Sequence, residues 1–127
     1  ISALTEDQIR SELNTNPEII PSGYGYEIKN LIFADLDGDN KQEAILTISI
    51  NDAPRGDPQL NILVFKNKDG APLFLGRNNL GLGTLESIEV KNMKIVVHWA
   101  RLTISGDKSA VAELVIQNAK LIVITNQ

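Results

Sequence analysis

A chain of 127 residues, 43% hydrophobic and 22% charged, has the size and composition of a single folded domain, residues 1–127, not of a disordered segment. Its formal charge of −4 argues against nucleic acid as a partner, because a phosphate-tracking surface needs clustered Lys and Arg. The absence of cysteine excludes disulfides, thiolate zinc sites, iron–sulfur clusters and cysteine nucleophiles, and no apolar run nears the ~18–20 residues of a transmembrane segment. The first residue is Ile1 rather than Met, which reads as a processed or trimmed chain, compatible with a removed signal peptide or lipid anchor.

The N-terminus predicts one short helix. Thr5 is a good N-cap, with Gln8 at the capping-box spacing and Leu4 placed to staple onto Ile9. Glu6 and Asp7 suit the positive end of the helix dipole, Ile9 and Leu13 form an apolar stripe, and Asn14, Asn16 and Pro17 stop the helix. A helix of about two or three turns needs a sheet to lie on.

From Ile28 onward the pattern is β. Apolar or alternating runs cover Ile28 to Ala34, Ala44 to Ile50, Leu60 to Lys66, Pro72 to Leu75, Leu85 to Val90, Met93 to Leu102, Val111 to Ile116 and Leu121 to Thr125. Turn signals separate them at Asn67–Gly70, Lys91–Asn92, Ser105–Lys108 and Asn118–Ala119. Ile48, Ile62, Val64, Ile95, Val97 and Ile122 are expected in the core. Pro21 to Tyr26, carrying Tyr24 and Tyr26, and Asn51 to Gln59 read as exposed loops. The expected fold is α+β: one N-terminal helix packed on a curved, mostly antiparallel sheet of about seven or eight strands, since sequential strands so spaced pair as hairpins.

The chemically informative stretch is Asp35-Leu36-Asp37-Gly38-Asp39-Asn40-Lys41-Gln42-Glu43, with acidic residues at relative positions 1, 3, 5 and 9. In a tightly curled loop alternate side chains converge. Asp35, Asp37, Asp39, the Lys41 carbonyl, Glu43 and a water then offer about six oxygens, the hard shell that Ca²⁺ accepts. Asn40 stands at the sharp turn where Gly is usual, and tolerates left-handed geometry best among the other residues. Position 12 is Leu46 rather than a bidentate Glu, and the flanks are β rather than helical, so the loop is not an EF-hand. Any turn favours Asp, Gly and Asn. Four carboxylates within nine residues nonetheless repel unless neutralised, and Lys41 is a weak answer.

Leu36-Asp37-Gly38-Asp39, after an apolar strand and before Glu43-Ala44-Ile45-Leu46, resembles the Asp-rich calcium loop of FG-GAP and VCBS-type repeats. With a single copy, a whole propeller of several blades is excluded. From Leu31 onward the chain is also similar to small exported bacterial domains of the LppP/LprE lipoprotein type, in the Asp-rich loop, the Leu85–Val97 segment and the closing strand Leu121–Thr125. Those relatives often carry paired cysteines near Asp107 to Ala110, which this chain lacks. The resemblance implies an exported, extracytoplasmic protein (secreted, periplasmic or lipid-anchored) and no known catalytic activity.

Asp35 and Asp37 after the apolar Leu31–Ala34 strand resemble the first motif of haloacid-dehalogenase-type phosphatases. Asp39 replaces that family's Thr or Val, however, and the later Asp pair and the βα alternation are missing. His98, the only histidine, lies between Val97 and Trp99 with no nucleophile elbow to serve, and reads as structural. Arg55-Gly56-Asp57 spells an integrin-read tripeptide, too short to be informative. Gly81 and Gly83 precede no helix and support no phosphate site. The expected function is therefore a non-catalytic exported domain with a Ca²⁺-type loop, structural or bound to an unknown protein or surface ligand. The alternative is a small metal-dependent hydrolase using Asp35 and Asp37.

Overall fold

The computed structural model describes residues 3–52 and 58–126. Among them are one helix, α1 (Glu6–Thr15), and seven strands: β1 (Tyr24–Ala34), β2 (Glu43–Asp52), β3 (Gln59–Lys68), β4 (Ala71–Lys91), β5 (Lys94–Thr103), β6 (Gly106–Gln117) and β7 (Lys120–Asn126). Each strand pairs antiparallel with the next, in the order β1-β2-β3-β4-β5-β6-β7. The Arg55-Gly56-Asp57 tripeptide lies outside the described residues.

The helix forms as its caps dictate. Gln8 N–H donates to Thr5 Oγ1 at 3.2 Å and Thr5 N–H donates to Gln8 Oε1 at 2.9 Å, the reciprocal capping box. Leu4, Ile9 and Leu13 are buried together with Ile19 and Ile20. They cover the face of β2 and β3 that carries Ala44, Leu46, Ile48, Ile50, Leu63 and Phe65. Polar ties fix this layer: Gln8 Nε2 donates to the Gly70 carbonyl at 2.7 Å, and one Arg77 nitrogen donates to the Glu18 and Ile19 carbonyls, each at 2.6 Å.

The opposite face of β2 and β3 carries Ile45, Leu60, Ile62 and Val64, packed against Ile95, Val97, Trp99, Ala110, Ala112 and Leu114 of β5 and β6. β4 makes this possible. Its first part, Ala71 to Leu82, pairs with β3, and the remainder, Gly83 to Lys91, pairs with β5. One 21-residue strand thus belongs to two half-sheets that close on a shared core. Gly83 sits at the handover. A Cβ there would lie 2.5 Å from the Ala100 carbonyl oxygen and 2.9 Å from Trp99 Cδ1, so the close approach of β4 to β5 requires glycine.

Some expectations change. Pro72–Leu75 and Leu85–Val90 are ends of one strand, because the glycine-rich stretch between them stays extended through register shifts instead of turning back. Tyr24 and Tyr26 belong to β1, where they pair with Asp52 and Ile50. Ile122 is 36% exposed. In the unbroken apolar run Leu121-Ile122-Val123-Ile124, alternation alone cannot tell which face is inward. Pairing of Leu114 with Val123 turns Val123 and Leu121 to the core and Ile122 and Ile124 outward. Ile48, Ile62, Val64, Ile95 and Val97 are fully buried.

Ile62→Ala should therefore cost ~2–5 kcal/mol and Ile122→Ala under ~1 kcal/mol in chemical denaturation. Gly83→Ala should destabilise by ~1–3 kcal/mol, because the neighbours that a methyl would meet include backbone.

Candidate metal centre

The acidic loop joins β1 to β2 and is held at both ends. Leu36, 3% exposed, inserts into the core between the half-sheets. Its N–H donates to Glu43 Oε1 at 2.7 Å, tying the start of the loop to the start of β2. Gly38 and Asn40 take left-handed backbone, φ 79° and 65°, as the sharp turns require.

Within the loop the aspartates organise the backbone. Asp35 Oδ1 accepts from the N–H groups of Asp37 (3.2 Å) and Gly38 (2.8 Å), and its Oδ2 accepts from Asn40 (2.9 Å). Asp37 Oδ1 accepts from Asp39 N–H at 3.3 Å, and Asp39 Oδ1 from Lys41 N–H at 2.9 Å. The result is a convergent set. One carboxylate oxygen from each of Asp35, Asp37, Asp39 and Glu43 lies within 4.8 Å of the other three, a cluster that can hold a metal ion. Lys41, the fifth residue of the expected ligand set, enters this network through its backbone N–H to Asp39.

Two features escape the sequence. The first is Lys66 of β3. Ala44 pairs with Phe65, so Lys66 lies one step further along, beside Glu43. Its Nζ stands 2.8 Å from Asp37 Oδ2 and 3.6 Å from Asp39 Oδ2. The counter-charge to the loop comes from the next hairpin strand, and finding it needs the β2–β3 register. The second is the burial of Glu43, whose side chain belongs to the inward face with Ile45; the residue is 1% exposed. Its Oε1 takes the Leu36 N–H, while its Oε2 is buried with no hydrogen-bond partner.

The electrostatics follow from this placement. At Asp35 burial opposes ionisation, but the N–H groups of Asn40, Gly38 and Asp37 outweigh it and keep the pKa below the ordinary 3.8. The Lys41 N–H keeps Asp39 low, with help from Asp37 and Lys66 against desolvation. Lys66 is raised, chiefly by its hydrogen bond to Asp37. Glu43 goes the other way. Burial first, opposed by the Leu36 N–H and joined by the charges of Asp37, Asp39 and Asp35, pushes it from 4.5 up to about 7.

His98 is exposed on the outward face of β5, away from the loop's network. Gly81 and Gly83 lie within β4. A hollow of about 350 Å³ opens between the half-sheets, with Ser49, Leu60, Gly83, Leu102 and Asp107 among its lining residues.

Glu43 generates a pH prediction for chelator-treated protein. A carboxyl whose folded pKa is about 7 against 4.5 binds its proton more tightly when folded, so between these values the native state holds the extra proton. Its contribution is then most stabilising below about pH 4.5 and is lost as pH rises through about 7. Glu43→Gln should remove this component, a difference on the order of 1–3 kcal/mol between pH 5 and 8 by denaturation.

No protein-family model matches the chain, and a comparison with the curated proteins finds no match.

Proposed function

We propose that this chain is a non-catalytic, extracytoplasmic domain whose β1–β2 loop binds Ca²⁺ and thereby stiffens one end of the sheet, as a structural element or as part of a surface presented to a protein or other ligand. The observation that carries the reading is Glu43 Oε2, a buried carboxylate oxygen without a partner beside three further carboxylates. A buried oxygen of this kind costs free energy unless a cation or a proton satisfies it. An oxygen-only set rich in carboxylates suits Ca²⁺, with its variable coordination, better than Mg²⁺, which demands a near-ideal octahedron. Asp35, Asp37, Asp39 and Glu43 would supply side-chain oxygens, and Lys41 its carbonyl.

The extracytoplasmic setting rests on the resemblance to exported calcium-loop domains and on expected affinity. Without a bidentate residue at position 12 the loop falls among the weak sites of ~10⁻⁴–10⁻³ M, useful only where Ca²⁺ is millimolar. No helix among the described residues is long and apolar enough to cross a membrane. A non-catalytic role is supported by Asp35, the nucleophile of the rival hydrolase reading, which has both carboxylate oxygens engaged by backbone N–H groups.

A calcium titration of thermal stability tests the reading. Millimolar Ca²⁺ should raise Tm, by the equivalent of ~2.7 kcal/mol at 100-fold excess over Kd, and equimolar Mg²⁺ should do much less. Asp39→Ala should abolish the calcium effect while the chelator-treated protein stays folded. A melting curve indifferent to Ca²⁺ would make the acidic loop a turn only. Phosphatase or esterase turnover lost in both Asp35→Asn and Asp37→Asn, with the fold intact, would favour the hydrolase.

A further inference from the structure

Lys66 already places one cation on the acidic loop. Its Nζ reaches Asp37 Oδ2 at 2.8 Å and Asp39 Oδ2 at 3.6 Å, with its side chain 33% exposed and those of the aspartates 24% and 31%. It comes from a different strand, held by the β2–β3 register, so it is a fixed component of the site. Yet it satisfies only the outer carboxylates. Glu43, 1% exposed, belongs to the same cluster, and its buried Oε2 is left without a partner. We infer that Lys66 is a resident counter-cation that competes with a divalent ion for Asp37 and Asp39 and so sets the affinity of the loop.

This inference rests on the calcium reading and adds to it a residue outside the loop. An ion held by all four carboxylates must share Asp37 and Asp39 with the ammonium or displace it. Two cations a few ångströms apart repel, and the four-carbon stem of Lys lets the ammonium swing aside without moving β3. The same contact keeps the loop folded when no ion is bound, because one ammonium offsets part of the carboxylate repulsion. Lys66 therefore trades tight binding for a loop that is formed beforehand.

The test is an amide-NMR titration with CaCl₂ of the wild type, Lys66→Met, Lys66→Gln and Lys66→Arg. Lys108→Met is the charge-matched control, an exposed residue of β6 in the hairpin opposite Arg101. Removing the charge at position 66 should tighten Ca²⁺ binding roughly tenfold, the scale of one charge beside a divalent ion in a largely aqueous setting. Lys66→Arg should keep the wild-type affinity, and Lys108→Met should change it less than about twofold, because distant surface charges are screened. In chelator both neutral variants at position 66 should melt below the wild type, and saturating Ca²⁺ should close that gap. Wild-type binding with unchanged or weaker affinity in both neutral variants overturns the competition alone. No Ca²⁺ binding by any of these proteins overturns the calcium reading and the role of Lys66 together. Lys66→Gln keeps the comparison available if Lys66→Met does not fold.

Discussion

β2 and β3 are apolar on both faces, and that constraint shapes everything around them. Ala44, Leu46, Ile48, Leu63 and Phe65 point one way, and Ile45, Leu60, Ile62 and Val64 the other. A strand of this kind is stable only with a layer on each side, because every exposed apolar face costs free energy in water. The chain supplies the two layers differently. A short helix, too small to be stable alone, covers one face. The second half of the meander covers the other, swung round by the long β4. Three layers result from one continuous sheet, without a crossover connection.

The folding-over also builds the acidic site. Because β1 ends and β2 begins beside the core shared with β5 and β6, Leu36 can drop into that core and pull the start of the loop inward. Glu43, at the first inward position of β2, is then buried beneath the loop it helps to close. Its Oε1 is used structurally, on the Leu36 N–H, and its Oε2 faces the cost of burial without a hydrogen bond. Asp35 spends both oxygens ordering the backbone, while Asp37 and Asp39 each spend one and turn the other to Lys66 of β3. Scaffold and charge cluster are thus one construction: packing presses four carboxylates together, and the Lys66 ammonium answers for two of them.

The hairpin turns show how local backbone chemistry assists. Asp69–Gly70, Asn92–Met93 and Asn118–Ala119 all take positive φ at both central positions, the twist-matched geometry of two-residue β-hairpins. Met93 and Ala119 adopt it without the freedom of glycine, which is why Lys91–Asn92 looked like the turn and Met93 the start of the next strand. Tertiary pairing of β4 with β5 and of β6 with β7 holds these residues in a conformation their own preferences disfavour.

Local signals determined much of this protein. The capping box of α1, the alternation in β2 and β5, and the Asp-rich loop with Asn40 at its left-handed turn all depend on residues close in sequence, and each is readable there. What depended on parity or on distant partners was not. Leu121 to Ile124 is apolar at every position, so only pairing with β6 chose Val123 for the core over Ile122. The glycines between Leu75 and Leu85 look like a break, and only the requirement that β4 serve two half-sheets keeps them extended. Asp35, Asp37, Asp39 and Glu43 were legible as a set because they share one loop, whereas the burial of Glu43 and the arrival of Lys66 were not. Burial depends on which layer covers a face, and an ion pair across strands depends on register. Both are set by the free energy of the whole packed sheet, not by any short stretch of chain.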